Sequence, residues 1–471
     1  MKHIVWISLL LLSVQSLAER AMAADDQKAP RPNIVFLLAD DLGSHDVGWR
    51  GGEIPTPNLD RLALAGARFE QFYVQPVCSP TRAALVTGRY PFRYGLQVGV
   101  VRPWADYGLP LAERILPQAL HDAGYETAIV GKWHLGHCRP ELLPTRRGFD
   151  HQYGHYNGAL DYFTHVRDEG FDWHRDDRAS RDEGYSTHLL AREATRVIKE
   201  RDPQKPLFLY VPFNAVHSPW QVPAEYEARF TKLSGRRRTY AGMLTALDEA
   251  VGQIAQAVAE AGIADNTLFV FSSDNGGPAP GQVTSNGPLR AGKSTVYEGG
   301  VRVCAFATWP GHIAAGTVVD VPLHMVDWYP TLLKLAGASL EQSLPLDGRD
   351  MWPSIVAGAA SPHEELVLNC APQHGALRKG NWKLVLNGQH NTGDGDTFGQ
   401  AAVLPVERVE LFDLAADLGE QHDLSNERPE VVRRLRARYD ALAAQAAPSL
   451  ARPKPKDFRS PAVWGESAAG Q

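Results

Sequence analysis

The sequence predicts an α/β protein: a large domain with a mostly parallel central sheet flanked by helices, then a smaller C-terminal α+β domain with a short antiparallel sheet. Three observations predict it. Short apolar runs bounded by turn residues alternate with amphipathic stretches over about 300 residues, the pattern of strands buried between helices. Polar residues gather directly after several of those runs, where an open α/β sheet binds its ligands. Near residue 360 the alternation gives way to short strand-like runs and one charged helix.

The elements follow in order. Residues 1–23 carry Lys2 and His3, a largely apolar run from Ile4 to Leu17, and the small-x-small end Ala21-Met22-Ala23. This reads as a secretory leader, because the run falls short of the ~20 apolar residues a membrane span requires. The large domain is expected over 24–360. Within it Asn33–Leu38, Thr127–Val130, Pro206–Val211 and Thr267–Phe271 are buried-strand runs, and Asp60–Ala67, Ser186–Glu200 and Tyr240–Glu260 have helical apolar spacing. The second domain, 361–450, offers strands at Glu365–Leu368, Ala376–Leu386 and Val409–Leu414 and a helix at Pro429–Gln445. Residues 451–471 are polar and Pro-rich, a loose tail.

Composition excludes some classes. Hydrophobic residues make up 44% and charged residues 22%, enough for a core. The formal net charge of −6 gives no support to a nucleic-acid surface. After the leader no stretch can span a membrane. The compact leader and the absence of an Asn-x-Ser/Thr sequon lead to the expectation of a periplasmic or secreted protein. Cys78, Cys138, Cys304 and Cys370 show no C-x-x-C spacing, so neither a zinc knot nor a disulfide scaffold is expected.

The polar residues after the strands are chemically selective. Asp40 and Asp41 follow the first run, Lys132 and His134 the second, His217 the third, and Asp274 and Asn275 the fourth. Each alone fits a turn, a cap or a hydrogen-bonded structural residue; four strand ends together point to a site. Two adjacent aspartates plus Asp-Asn are hard oxygen donors, suited to Ca²⁺ or Mg²⁺, and burying adjacent acids favours a cation between them. Cys78-Ser79-Pro80-Thr81-Arg82 opens a helix whose N-terminus favours anions, with Arg82 one turn along on the same face. Read blandly, Cys78 is a small buried residue or a disulfide partner.

That run, followed by Leu85-Val86-Thr87-Gly88-Arg89, resembles the signature of the type I sulfatases. Asp40-Asp41, Gly131–Gly136, 143–150 (LPTRRGFD), Ser273–Gly277 and Glu298–Arg302 extend the resemblance over nearly the whole chain after the leader. The stretch from Gly131 to Asp150, with Pro288–Lys293 and Tyr297–Gly300, looks most like the arylsulfatase B (N-acetylgalactosamine-4-sulfatase) branch. The resemblance implies an alkaline-phosphatase-like fold and a sulfuric ester hydrolase acting on a sulfated sugar, a glycosaminoglycan or algal-type polysaccharide fragment. It implies a maturation enzyme that converts Cys78, within the Cys78–Arg82 segment, to Cα-formylglycine. Asp40, Asp41, Asp274 and Asn275 would hold Ca²⁺, with Mg²⁺ the alternative, and modified Cys78 or the substrate sulfate would complete the shell. Arg82 and Lys132 would stabilise the formylglycine hydrate and the sulfate charge, and His217 and Lys293 would face the bridging oxygen. One hydrate hydroxyl would attack sulfur, passing its proton to Asp274 and giving a sulfoenzyme; the second would lose its proton to His134 as sulfate leaves.

Other readings remain. A phosphodiesterase or phosphonate hydrolase of the same superfamily would use similar groups, and an unmatured scaffold could act only as a carbohydrate-binding protein. Gly287–Ser294 matches the P-loop pattern, but a polar segment precedes it, Pro288 removes a backbone donor, and Gly299-Gly300 follows too soon for a long helix. Trp49, Trp104 and Trp220 offer either core packing or faces for sugar rings. If Cys78 is converted, parity leaves at least one of the other three cysteines unpaired; all three are expected to be structural. The segments 101–107 and 155–178, which would line the outer pocket, resemble the family least, so the sugar is not fixed by the sequence.

Overall fold

The computed structural model describes residues 31–371, 374–388 and 407–466. The expected leader lies outside them. The first domain contains β1 (Asn33–Ala39), β2 (Ala67–Tyr73), β3 (Glu126–Lys132), β4 (His151–His155), β5 (Val166–Arg167), β6 (Gly170–Phe171), β7 (His174–Arg175), β8 (Arg178–Ala179), β9 (Leu207–Pro212), β10 (Thr267–Ser273), β11 (Arg302–Thr308), β12 (Thr317–Val319) and β13 (Leu323–His324). All but β5 and β6, which form a separate ribbon, join one sheet in the order β12-β2-β11-β10-β1-β9-β3-β4-β7-β8, with β13 also beside β2. The central five, β10-β1-β9-β3-β4, are parallel. β11 runs antiparallel to both β10 and β2.

The strand pattern explains the layers. Every residue of β1 is buried, so both faces are covered. Val35, Leu37 and Ala39 join a cluster with the helices Ser186–Glu200 and Gly235–Glu260. Ile34, Phe36 and Leu38 point the other way, into a cluster with Leu116, Leu120, Trp328 and Leu332. The mostly parallel sheet between two helical layers is the expected α/β architecture. The second domain is a four-stranded antiparallel sheet, β14 (Glu365–Ala371), β15 (His374–Lys379), β16 (Trp382–Leu386) and β17 (Val409–Asp413), covered by the helix Pro429–Ala443.

Several boundaries differ from expectation. The helix expected at Asp60–Ala67 spans Pro57–Leu64, with proline in its first turn, and Ala67 instead opens β2. The β2 sequence ARFEQFY carries three aromatics and alternates burial over its first half, a strand pattern masked by the preceding apolar helix. The run Ala376–Leu386 is two strands, β15 and β16, because Gly380 turns the chain at φ +60. The long helix begins at Gly235, five residues early, through a polar first turn. The tail, expected to be loose, packs against the large domain through residue 466. Phe171 N–H donates to Ala462 O at 2.9 Å, Val463 bridges Phe171, and Trp464 is 2% exposed with its indole N–H on Arg167 O at 2.8 Å. Its aromatic residues, separated by polar ones, gave no periodic signal.

Candidate active site

The expected residues converge beyond the C-terminal ends of the parallel strands. Asp40 and Asp41 leave β1, Lys132 ends β3, and Asp274 and Asn275 leave β10. His217 follows β9 by five residues. Gly131 is required beside Lys132: its φ is +142, and a Cβ there would stand 2.0 Å from Pro212 O. Cys78 is the first residue of the helix Cys78–Thr87, whose ten residues are all buried. Val77 is extended, Pro80 sits in the first turn where its missing N–H costs nothing, and Gly88 ends the helix with positive φ.

Asp40 is the centre of the cluster. Its Oδ1 lies 3.6 Å from Cys78 Sγ. Its Oδ2 accepts from Lys132 Nζ at 2.5 Å and Arg82 Nη2 at 3.2 Å. Arg82 also donates to Asp274 Oδ2, through Nη2 at 2.8 Å and Nε at 3.2 Å, and to the Lys132 carbonyl at 3.1 Å. Arg82, Lys132 and Asp40 side chains are wholly buried. Asp41 has φ +61; it accepts from Asn275 Nδ2 at 2.7 Å and from Lys293 Nζ at 2.9 Å, and lies 3.6 Å from His217 Nε2. Lys293 is 13% and His217 17% exposed, so these two stand at the mouth. His134, also at positive φ, directs Nε2 to Val101 O at 3.0 Å. Its Nδ1 is buried without a partner.

The field of the cluster follows from these distances. Burial opposes ionisation of Asp40, but Lys132, His217, Arg82 and Lys293 outweigh it and hold the carboxyl below the usual range. Burial and the neighbouring Asp40 raise Asp274. Burial and Asp40 push the Cys78 thiol up. Burial, with Lys132 and Arg82, drives His134 well down, and burial with Lys293 takes His217 to about 4, so both imidazoles are neutral at pH 7.

A divalent cation fits this donor set. Ligand atoms of Asp40, Asp41, Cys78 and His217 lie within 4.8 Å of one another. Asn275 Oδ1 is buried with no partner, an acceptor waiting for a cation. Asp274, expected among the ligands, is outside that four-residue group; its Oδ2 faces Arg82 and its Oδ1 accepts the Asp41 amide at 3.3 Å.

Other elements hold the site in place. Ser79 Oγ donates to His134 O at 2.9 Å and accepts from Val101 N–H at 3.0 Å, tying the Cys78 helix to the histidine loop. Asn286 Oδ1 accepts the amides of Ser44 and Gly277 at 3.2 and 3.1 Å. The sequence reading named none of these as site residues. Ser79 lies inside the Cys78–Arg82 segment and could have been found; the Val101 contact is made by backbone and leaves no side-chain signal. The P-loop look-alike is a turn-rich segment followed only by the short helix Glu298–Val301. Beyond it, buried Lys383 of β16 places Nζ 2.9 Å from Glu298 Oε1 and 2.8 Å from Glu420 Oε1. Glu420 Oε2 in turn accepts the Glu298 amide at 2.6 Å, and Arg290 Nη1 donates to Glu420 O at 2.8 Å. The second domain is thus bolted to the Lys293 loop. Trp49 packs on Phe271 and Phe306 in the core, whereas Trp104 is partly exposed beside Arg102. All four cysteines are free; Cys304 and Cys370 are buried in strands, but Cys138 is exposed.

Known structures share this architecture. Ps i-CgsB in complex with k-i-k-neocarrahexaose superposes with a TM-score of 0.80 at 32% identity, covering 88% of this chain and 94% of that one. A phosphonate monoester hydrolase of Agrobacterium radiobacter shares the fold, with a TM-score of 0.63 at 20% identity over 88% of this chain and 96% of that one. The protein therefore has the alkaline-phosphatase-like fold. Residues 32–338 match the family described as Sulfatase. Mouse arylsulfatase J is 37% identical over 92% of this chain and 80% of its own length. Human arylsulfatase A is 34% identical, with 88% of each chain covered, and human N-acetylgalactosamine-6-sulfatase is 37% identical over 70% of this chain and 67% of its own. The chain belongs to the sulfatase family and is a sulfuric ester hydrolase. Among the described residues no helix is long and apolar enough to cross a membrane.

Proposed function

We propose that this chain, after export, removes sulfate from a sulfated carbohydrate with residue 78 acting as Cα-formylglycine. One observation carries the reading: Cys78 opens a buried helix with Sγ 3.6 Å from Asp40, at the focus of hard oxygen donors and three cations. The N-acetylgalactosamine-6-sulfatase relatives and the likeness to Ps i-CgsB with its neocarrahexaose support a galactose-type or hexosamine sulfate as substrate.

The residues divide the work by depth. Asp40, Asp41, Asn275 and Asp274 would hold Ca²⁺ or Mg²⁺, which when bound supplies Lewis-acid stabilisation of a sulfate oxygen. Formylglycine at position 78 would supply a hydrated aldehyde as nucleophile. Arg82 fixes Asp40 and Asp274 at the floor, and with Lys132 it offsets negative charge there. The Val101 carbonyl selects the Nε2-protonated tautomer of His134, leaving Nδ1 as the free lone pair that accepts a proton. Lys293 and His217, at the mouth, face the bridging oxygen and the departing sugar. A formylglycine-generating enzyme acting on Cys78–Arg82 is the partner this requires.

Intact-mass measurement of active protein tests the reading: conversion of the thiol to an aldehyde lowers the mass by about 18 Da. Active protein with an unchanged thiol refutes it. Comparison of kcat/KM on matched sulfate and phosphate esters should favour sulfate; preference for phosphate would assign the chain to phosphoryl or phosphonate chemistry instead.

A further inference from the structure

The segment that reads as a loose tail in the sequence touches both loops that hold His134. One loop supplies Val101 O, 3.0 Å from His134 Nε2. The residues just after Val101 are gripped from the tail side. Trp104 donates its indole N–H to Arg452 O at 3.1 Å and meets the Phe458 ring edge-on at 6.5 Å. Pro103 O accepts from His137 Nε2 at 3.2 Å, and the His137 ring stands edge-on to Trp464 at 5.3 Å. The other loop supplies Tyr156 O, which accepts the His134 N–H at 3.0 Å. Gly465 backs onto the Tyr156 ring: its φ is +77, and a Cβ there would stand 2.4 Å from Tyr156 Cε2. Trp464 is itself fixed. It lies parallel to the Phe458 ring at 6.3 Å, its indole N–H is on Arg167 O, and its backbone N–H donates to Phe171 O at 2.9 Å.

His134 has φ +58, and a non-glycine residue stays in that region only where its surroundings over-determine it. Of the hydrogen bonds it shares with Val101 O, Tyr156 O and Ser79 Oγ, the first two end on loops that the tail covers. We propose that Trp464 and Gly465 are positioning residues of the active site: through His137 and Tyr156 they hold the orientation of the His134 imidazole. Nδ1 offers its lone pair only while Nε2–H stays on Val101 O. Loosening the tail should therefore slow the step in which His134 takes a proton and sulfate leaves. The attack on sulfur, assigned to Asp274 and the buried cations, is left intact. The inference rests on the reading of His134 as the proton acceptor of that second step.

Steady-state hydrolysis of 4-nitrophenyl sulfate by the matured full-length enzyme, with intact-mass analysis of acid-quenched samples, reads the two steps apart. Trp464→Ala and Gly465→Ala should each lower kcat about tenfold, within the reach of a displacement under 1 Å. KM should fall in step, because slowing only the second step leaves kcat/KM unchanged. A sulfated enzyme absent from wild type should accumulate. Trp464→Phe, which keeps a ring against His137, should restore most of the rate. Gly465→Ala removes no side chain and decides the matter where Trp464→Ala does not fold. Trp352→Ala, which deletes a partly buried indole packed on Trp309, controls for lost packing: its melting temperature should fall with no sulfated enzyme. Amide exchange over Trp133–Gly136 checks the contact chain without turnover, and should quicken in both tail variants but not in Trp352→Ala. The inference is overturned if the tail variants keep wild-type kcat, if they lower kcat/KM as much as kcat with no sulfated species, if exchange at His134 is unchanged, or if Trp352→Ala accumulates the same species. His134→Ala separates the two readings. Normal turnover by that variant refutes the base assignment, whereas its stalling as sulfoenzyme beside tail variants of wild-type rate refutes the role of the tail alone.

Discussion

Replacing Lys383 with methionine removes the bolt between the second domain and the Lys293 loop while keeping most of its volume. Lys383 is wholly buried between two wholly buried carboxylates, Glu298 and Glu420. Arg302, 3.4 Å from Glu298 Oε2, still compensates Glu298 in the variant, so the loss falls on Glu420. Burial, together with Glu298, already pushes the Glu420 carboxyl up to about 7 against the pull of Lys383. At pH 8 the variant must either keep Glu420 ionised without its cation or protonate it, and stranding one member of a buried pair costs about 3–5 kcal/mol. At pH 5 Glu420 is protonated in the folded protein, and the loss shrinks to a hydrogen bond on the order of 2 kcal/mol. The wild type follows the same sign. A folded carboxyl raised from 4.5 to about 7 contributes stability fully present below 4.5 and lost as pH rises through 7, and Glu420→Gln should flatten that slope. Urea unfolding of both variants at pH 5 and 8 measures this. A Lys383→Met penalty under about 1 kcal/mol at pH 8, or one that does not diminish on acidification, refutes the electrostatic account.

Three further outcomes follow from the site. Gly276→Ala places a Cβ 1.7 Å from Gly299 O, forcing apart the loops that carry Asn275 and Lys293; stability should fall by about 1–3 kcal/mol with a rise in KM, and an unchanged melting temperature would contradict the contact. Stripping divalent cations should abolish sulfate release and lower the melting temperature, and Ca²⁺ at 100-fold over Kd should return about 2.7 kcal/mol of stability; full activity after chelation would remove the metal from the account. Cys78→Ser should lose multiple turnover, because a single hydroxyl cannot both attack sulfur and expel sulfate by reforming an aldehyde; normal steady-state turnover by that variant would refute the hydrate mechanism.

The strands that carry the site were legible because parallel strands are buried on both faces. NIVFLL and TLFVF have no polar interruption, and their polar successors mark where the chain leaves the sheet. The helix Ser186–Glu200 was legible to the residue because its apolar stripe is strongly one-sided. β2 and β11 were not, since each adjoins a helix or glycine turn that blurs its period. The expected residues after β1, β3 and β10 come together because strand ends in one parallel sheet share one edge, whereas Cys78 and Arg82 arrive on a helix and Lys293 on a turn-rich loop. What the sequence could not convey is pairing: Asp274 turned toward Arg82, Ser79 bridging to Val101, and the Lys383–Glu420 contact join residues up to 192 apart through loops of no fixed period. The tail escaped for a related reason, its anchor Trp464 standing in a short stretch without apolar periodicity.

The charge arrangement explains how a net-negative chain can attract an anion. At the site Asp40, Asp41 and Asp274 are matched one for one by Arg82, Lys132 and Lys293, while burial and neighbouring cations keep His134 and His217 neutral. The set is balanced as it stands, and a divalent cation would make it doubly positive. The balance is also graded in depth. Arg82 and Lys132, with no exposed side chain, are committed to Asp40 and the backbone and so pre-organise the floor. Lys293 has a single carboxylate partner and stands partly open to solvent, where an approaching sulfate would first meet it. Water-excluded cations stabilise charge that develops during reaction, whereas a cation at the mouth acts on charge that arrives. A chain built this way would separate the arrival of an anion at Lys293 from the chemistry at the floor, with the second domain holding the Lys293 loop.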